Sequence, residues 1–137
     1  MSLDHLDHTA IAVRDMDEAL VRYQRIFGLA GIDRQIIEDQ QVEVAFLPTG
    51  QTQLELIRPI SFGSGVARYL ERHGESLHHV AFAVDDIEYE LELLDRQGVE
   101  LIDRVPRKGV HGRIAFLHPR GTGGVLVELV ERTRSID

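Results

Sequence analysis

Two similar stretches of sequence decide the fold of this chain of 137 residues. The first is His8-Thr-Ala-Ile-Ala-Val-Arg-Asp-Met-Asp17, and the second, which begins 71 positions later, is His79-Val-Ala-Phe-Ala-Val-Asp-Asp-Ile-Glu88. Five of the ten aligned positions are identical, among them the leading histidine. Internal similarity at a fixed offset indicates a duplicated unit. We therefore predict that the chain consists of two copies of one structural module.

The segments that follow each copy repeat in the same order. Apolar residues at helical spacing predict helices over residues 16–27 and 87–97, with Asp15 and Asp86 as caps and Gly28 and Gly98 near the ends. Strand-like segments follow at residues 34–38, 41–47 and 53–57, and again at 99–102, 113–117 and 125–130. We predict an α+β fold of two βαβββ modules, at about residues 4–60 and 76–132. A linker helix at about residues 63–73 joins them within a single domain, residues 1–137.

Composition excludes several classes of function. The formal net charge of −8 opposes binding to nucleic acid or to an anionic membrane surface. The chain has no cysteine, which excludes disulfides, thiolate metal sites and cysteine nucleophiles. No apolar run approaches the ~18 residues of a membrane span, and the first residues do not resemble an export signal. We expect a cytoplasmic protein that binds a small molecule.

Four residues stand at matched positions of the two copies. Side chains alternate along a strand, so His8 and His79 each share a face with two alanines, which leaves room for a ligand. Glu55 and Glu128 lie within the apolar closing strands, where a lone carboxylate is costly unless it is paired or bound to metal. A single strand histidine is more often a core or surface residue. Because the pattern occurs twice, we predict His8, Glu55, His79 and Glu128 as ligands of one divalent ion, such as Zn²⁺, Co²⁺, Ni²⁺ or Mn²⁺.

These and other motifs carry a family resemblance. The sequence resembles the vicinal oxygen chelate superfamily and, within it, the family of methylmalonyl-CoA epimerases, in the stretches 7–13, 44–48, 54–56, 77–86, 112–119 and 123–129. The resemblance implies a cupped mixed sheet around one metal, with cobalt favoured, epimerisation at C2 of an acyl-CoA, and a homodimer. It implies metal ligands at His8, His79 and Glu128, and a fourth at Glu55, a position that varies in the family. It also places a catalytic acid/base at Glu43.

Epimerisation sets its own chemical requirements. A proton alpha to a thioester is removable when a Lewis-acidic metal stabilises the enolate oxygen, and two groups must then carry protons on opposite faces of the enolate. We predict Glu43 and Glu128 as these catalytic residues, although Glu43 also fits an exposed strand glutamate. Glu55 or a metal-bound water is the alternative to Glu128. A cationic cluster is the candidate site for the coenzyme A tail, or else a solvated face: Arg104, Arg107, Lys108, Arg113 and Arg120.

Three other functions compete with an epimerase. A glyoxalase I-type lactoylglutathione lyase would use the same four ligands on a glutathione adduct. A binding protein of the bleomycin-resistance type would keep the fold but usually lack the ligands, so four matched candidates argue against it. An extradiol dioxygenase needs two histidines and one carboxylate on iron, and the additional carboxylate disfavours it.

Overall fold

The order of helices and strands repeats along the chain. The computed structural model describes residues 3–30 and 32–133, so the ends of the predicted domain lie outside the described residues. The elements are β1 (His5–Ala12), α1 (Met16–Phe27), β2 (Asp33–Ile37), β3 (Val42–Thr49), β4 (Thr52–Pro59), α2 (Gly65–His73), β5 (Ser76–Ala83), α3 (Ile87–Arg96), β6 (Arg107–Lys108), β7 (Gly112–Leu117) and β8 (Val127–Arg132). The predicted fold class, two βαβββ modules with mixed strand pairing, is confirmed. Among the described residues, no helix is long and apolar enough to cross a membrane.

The chain divides into two compact units, of which the first covers residues 8–78. Its strands lie in the order β2-β3-β4-β1, with β1 parallel to β4 and the other pairs antiparallel. Helix α1 packs on one face of these strands. The core on that face contains Val13, Met16, Ala19, Leu20, Ala45, Leu47 and Leu56, with Ile11 packed against it. Ile11 and Val13 therefore face the helix and His8 faces away from it, which confirms the predicted alternation of His8 with the alanines.

Of the described residues, the second unit covers 79–133 together with 3–7. Its strands lie in the order β5-β8-β7-β6, with β5 parallel to β8 and the other pairs antiparallel. Helix α3 packs on one face, in a core of Val84, Ile87, Leu91, Leu94, Ala115, Leu117 and Leu129. The start of β1 attaches to this unit, because the Asp4 N–H donates to the Ala83 carbonyl and the Asp7 carboxylate pairs with Arg132.

Both module helices begin at the predicted caps. The Asp15 carboxylate accepts the Glu18 N–H at 3.0 Å, and the Asp86 carboxylate accepts the Tyr89 N–H at 3.1 Å. Each cap satisfies a backbone donor that the first helical turn leaves without a partner. Helix α1 ends at Gly28, whose φ of 64° is a left-handed conformation that favours glycine.

One predicted strand is wrong. Residues 99–102 form only an isolated bridge, between Leu101 and Leu117, and the outer strand of the second module is β6. The reason lies in Asp103, whose carboxylate accepts the Phe116 N–H at 2.9 Å. The N–H groups of Ile102 and Asp103 both donate to the Phe116 carbonyl. This side-chain bond takes the donor on β7 that a regular ladder would use, so the segment bends away instead of pairing.

Candidate metal and active site

The first unit holds one buried pair of histidine and glutamate. His8 lies on β1 and Glu55 on β4, and the register of these parallel strands sets Ala10 beside Glu55, so both side chains leave the same face. The His8 Nδ1 atom is 3.1 Å from the Glu55 Oε2 atom, and less than a tenth of either side chain is exposed. This face of the strands, which carries His8 and Glu55 and which we call the ligand face, is the one opposite helix α1.

The second unit holds the corresponding pair. His79 lies on β5 and Glu128 on β8, with Ala81 beside Glu128 in the register. The His79 Nε2 atom is 2.9 Å from the Glu128 Oε2 atom, and this pair is buried to the same degree. The Phe116 ring packs perpendicular to the imidazole, with 5.5 Å between centroids. The pair of histidine and glutamate therefore occupies the same position on the strand ladder in both units.

The donor atoms of each pair fit a divalent ion. Two ligands that each lie about 2.1 Å from a metal, at a right angle, are about 3.0 Å apart. The distances of 3.1 Å in the His8 pair and 2.9 Å in the His79 pair match this value. A hydrogen bond would give similar distances, but one imidazole nitrogen and one carboxylate oxygen per pair also form a set suited to Zn²⁺, Co²⁺, Ni²⁺ or Mn²⁺.

Small and apolar residues surround each pair. Ala10, Ala12 and Ala81 are completely buried, and Ala83 nearly so. Along its strand, each histidine therefore has only methyl side chains as neighbours on this face. The register adds Val44 and Phe46 to this face of the first unit and Ile114 and Phe116 to that of the second. Apolar side chains of this kind exclude water from a reacting group.

Glu43 lies on the other face of the first unit. Strand β3 pairs regularly with β4, which sets Phe46 beside Glu55 and Glu43 beside Arg58. By alternation along β3, Glu43 shares a face with Ala45 and Leu47, and both of those residues pack in the core under helix α1. Val44 occupies the face that carries Glu55. A carboxylate that transfers protons must reach the ligand face, so this geometry does not support the predicted catalytic role of Glu43.

The Glu43 carboxylate instead takes part in an ion-pair network. It accepts hydrogen bonds from Arg34 at 3.2 and 3.1 Å and from Arg58 at 3.2 Å, and Arg34 also binds Asp17 in the first turn of α1. The hydrogen bond from Arg34 is the main reason why the pKa of Glu43 lies below its ordinary value; burial opposes this effect and Arg58 adds to it. A carboxylate held in its charged form is a poor proton carrier near neutral pH.

The second unit repeats this network with the charges of the ladder pair exchanged. Arg113 on β7 pairs with Glu131 on β8 at the ladder position where Glu43 pairs with Arg58. Arg113 also binds Glu88, the second residue of α3, as Arg34 binds Asp17, the second residue of α1. In both units the ion pair on the ladder is tied to an acidic residue at the start of the helix, although the charges of the ladder pair are exchanged, so the property that the two networks share is structural.

The cationic residues predicted for coenzyme A do not form one surface. Four of them are paired with carboxylates in the second unit: Arg104 with Asp95, Arg107 with Asp103, Arg113 with Glu131, and Arg120 with Glu100. Alternation along β6 sends Lys108 to the helix side with Arg113, whereas Arg107 lies on the side of Phe116. The sequence predicts Arg107 as one of these cations but not its ion pair with Asp103, because their contact depends on the bend after residue 102.

Four other histidines make contacts outside the two pairs. His118 caps the turn at residues 119–122, where its Nδ1 atom accepts the Arg120 N–H at 3.1 Å. His73 and His78 both pack against the Tyr69 ring. The exposed His5 is 3.2 Å from the neighbouring Asp4 carboxylate.

Comparisons with known proteins agree with this architecture. The Glyoxalase/Bleomycin resistance protein/Dioxygenase superfamily matches residues 7–116. The uncharacterized protein YqjC of Bacillus subtilis is 45% identical over 130 residues, 94% of this chain and 93% of that protein. Mitochondrial methylmalonyl-CoA epimerase of Dictyostelium discoideum is 32% identical over 135 residues, 96% of this chain and 81% of that protein.

A solved structure extends the agreement to the fold. A methylmalonyl-CoA epimerase in complex with methylmalonyl-CoA and NH4+ superposes with a TM-score of 0.91 at 34% identity, covering 96% of both chains. Its strands and helices therefore follow the same course as those described above. Together with the matched family and relatives, this likeness confirms the resemblance inferred from the sequence: the chain belongs to the Glyoxalase/Bleomycin resistance protein/Dioxygenase superfamily.

Proposed function

We propose that this chain is an isomerase that interconverts the 2R and 2S forms of methylmalonyl-CoA by moving the proton at C2. The observation that carries this proposal is the buried pair of histidine and glutamate at the same ladder position in both units. Relatives named methylmalonyl-CoA epimerase that align with nearly the whole chain give the substrate class.

From the matched positions of the two pairs, we propose that they serve one divalent ion, with His8, Glu55, His79 and Glu128 as its ligands. The distance within each pair, its burial and its donor set support this assignment. A bound divalent metal supplies Lewis acidity, which stabilises negative charge on the thioester oxygen. Cobalt is favoured by the resemblance, and zinc, nickel and manganese suit the same donors.

The remaining steps belong to side chains of the ligand face. The alanines beside His8 and His79 admit the acyl group, and Phe46 and Phe116 keep bulk water from it. Glu128 removes or returns the C2 proton. With Glu43 on the helix side, Glu55 is the carboxylate of the first unit that faces the same side as His8, and we assign the second proton transfer to it.

The test measures exchange and inversion separately. Methylmalonyl-CoA in D₂O is followed by proton NMR for loss of the C2 proton, and a stereospecific coupled assay follows conversion of one epimer. We expect both from the metal-loaded protein and neither from His79→Ala. His78→Ala is the matched control, because this neighbouring side chain faces the other side of β5 and packs on Tyr69. Equal loss in both variants would contradict the assignment.

A glyoxalase I-type lyase is the second candidate, and one observation favours it. Each unit contributes a carboxylate to its pair, and Glu43 faces away from that side, so the site residues are the set expected for that enzyme. Turnover of the adduct of methylglyoxal and glutathione, without C2 exchange on methylmalonyl-CoA, would replace the epimerase proposal.

We also propose that residues 1–137 act as one domain, and that the protein is a homodimer in the cytoplasm. A module of about 65 residues has little core of its own, which supports joint action of the two. Sedimentation at decreasing concentration tests the dimer, and fractionation of the source cells tests the location.

A further inference from the structure

One amide side chain lies on the ligand face of the first unit, directly beside a proposed metal ligand. Gln53 on β4 pairs with His8 on β1, and residues that pair in a ladder face the same side. Gln53 also stands two positions before Glu55, so alternation along β4 gives the same face. As the second residue of β4 it is only partly buried, so a molecule bound at the ligand face can reach it.

The acceptor atom of this amide has no hydrogen-bond partner. The Gln53 Oε1 atom is closed off from solvent, and in the described part of the chain no donor bonds to it. A buried acceptor without a donor costs free energy, and a ligand that brings an N–H group removes that cost. The terminal amide of a glutamine turns about a soft torsion, so turning Oε1 toward the ligand breaks no bond to that atom.

The second unit shows that the fold does not require an amide at this position. The residue two positions before Glu128 is Leu126, whose carbonyl accepts the Val80 N–H at 3.2 Å and so continues the ladder between β5 and β8. The second module therefore carries a leucine where the first carries Gln53. Because both modules build the same ladder, we attribute the polar group at Gln53 to a ligand.

We propose that Gln53 accepts the N–H of the first amide in the pantetheine arm of the substrate, an inference that rests on the proposed function. The thioester oxygen and the ionised carboxylate of methylmalonyl-CoA are acceptors, so neither can satisfy a second acceptor. The amide two methylenes beyond the sulfur carries the nearest N–H. Neighbouring strands lie about 4.8 Å apart, a step from His8 to Gln53 that a sulfur and two methylenes can bridge.

The test compares two small thioesters that differ only in this donor. One is the methylmalonyl thioester of N-acetylcysteamine, and in the other an ester oxygen replaces its N–H. Protein NMR titration measures both dissociation constants for the zinc-loaded protein. We expect wild type to bind the amide roughly 3- to 30-fold more tightly than the ester, and Gln53→Leu to bind both alike. Gln24→Leu is the matched control, because it makes the same change on the exposed surface of α1, and it should keep the preference.

Each outcome has a separate meaning. Equal binding of the two thioesters by wild type would overturn the inference, while C2 exchange on methylmalonyl-CoA would still uphold the proposed function. A preference that persists in Gln53→Leu would overturn it as well, because another group would then be the acceptor. Preference for the amide without C2 exchange overturns the proposed function and upholds Gln53 as the acceptor.

Two further results complete the test. A wild-type protein that binds neither thioester and exchanges no C2 proton overturns both proposals. If Gln53→Leu fails to fold, Gln53→Glu keeps an acceptor oxygen on a side chain of the same length. We expect this variant to retain the preference for the amide, and its loss there would contradict the inference.

Discussion

Glu43→Gln separates a structural carboxylate from a catalytic one. The substitution keeps the shape of the side chain and removes its charge, within a network of three hydrogen bonds from Arg34 and Arg58. The Glu43 side chain is only 12% exposed, whereas the two arginine side chains are about one third exposed. Solvent therefore partly screens the attraction between the arginine charges and the carboxylate. We therefore expect a loss of about 1–2 kcal/mol in the free energy of unfolding at pH 7.

The pH dependence has a defined sign. The pKa of Glu43 is lowered in the folded protein, mainly by the hydrogen bond from Arg34, so its contribution to stability is present above the ordinary value of 4.5. It is lost as the pH falls through the lowered pKa, because the folded and unfolded states then bind the same proton. The difference in stability between wild type and Glu43→Gln should consequently shrink below about pH 4.

Urea unfolding at several pH values and the C2 exchange rate provide the two readouts. Glu18→Gln is the control, because it removes the carboxylate of an exposed pair within α1 and should cost less than ~0.5 kcal/mol. We expect Glu43→Gln to keep its turnover within about threefold of wild type, whereas loss of a general base costs about 10²- to 10⁴-fold. A loss of that size with unchanged stability would refute the structural reading.

Further substitutions and treatments have defined outcomes. His8→Ala and His79→Ala should each lose bound metal, measured by elemental analysis, while circular dichroism shows a folded chain. Chelator should lower the thermal midpoint of wild type and leave that of His79→Ala unchanged. Gly112→Ala should destabilise by at least ~2 kcal/mol in urea, because its φ is +153° and a Cβ would lie 2.1 Å from the Glu131 carbonyl oxygen. Asp15→Ala should cost about 1 kcal/mol through loss of the α1 cap.

The repeated pattern explains why most of the fold was predictable. Two histidine-led strands, two aspartate caps and two helices with regular apolar spacing are local signals, and each recurs. The failure at residues 99–102 has a nonlocal cause. Asp103 binds the backbone of Phe116, a contact between residues 13 positions apart in sequence that diverts the chain from the ladder. No local propensity carries that information.

The same distinction applies to the site. Alternation along single strands was enough to put His8 and His79 beside alanines, and Glu55 and Glu128 on the matching faces. The role of Glu43 depends on which side of β3 meets the helix, and that side becomes known only through pairing with β4. Alternation correctly grouped Glu43 with Ala45 and Leu47, and the register then showed that this group is the core.

The rate of C2 proton exchange on methylmalonyl-CoA, before and after removal of metal, tests whether a metal held by the two pairs is needed for epimerisation. The protein is treated with chelator, assayed in D₂O by proton NMR, and then supplied with Co²⁺. We expect negligible exchange from the metal-free protein, recovery with about one equivalent of Co²⁺, and no recovery in His79→Ala. Exchange that persists at the full rate without metal, or is restored equally in His79→Ala, would contradict this expectation.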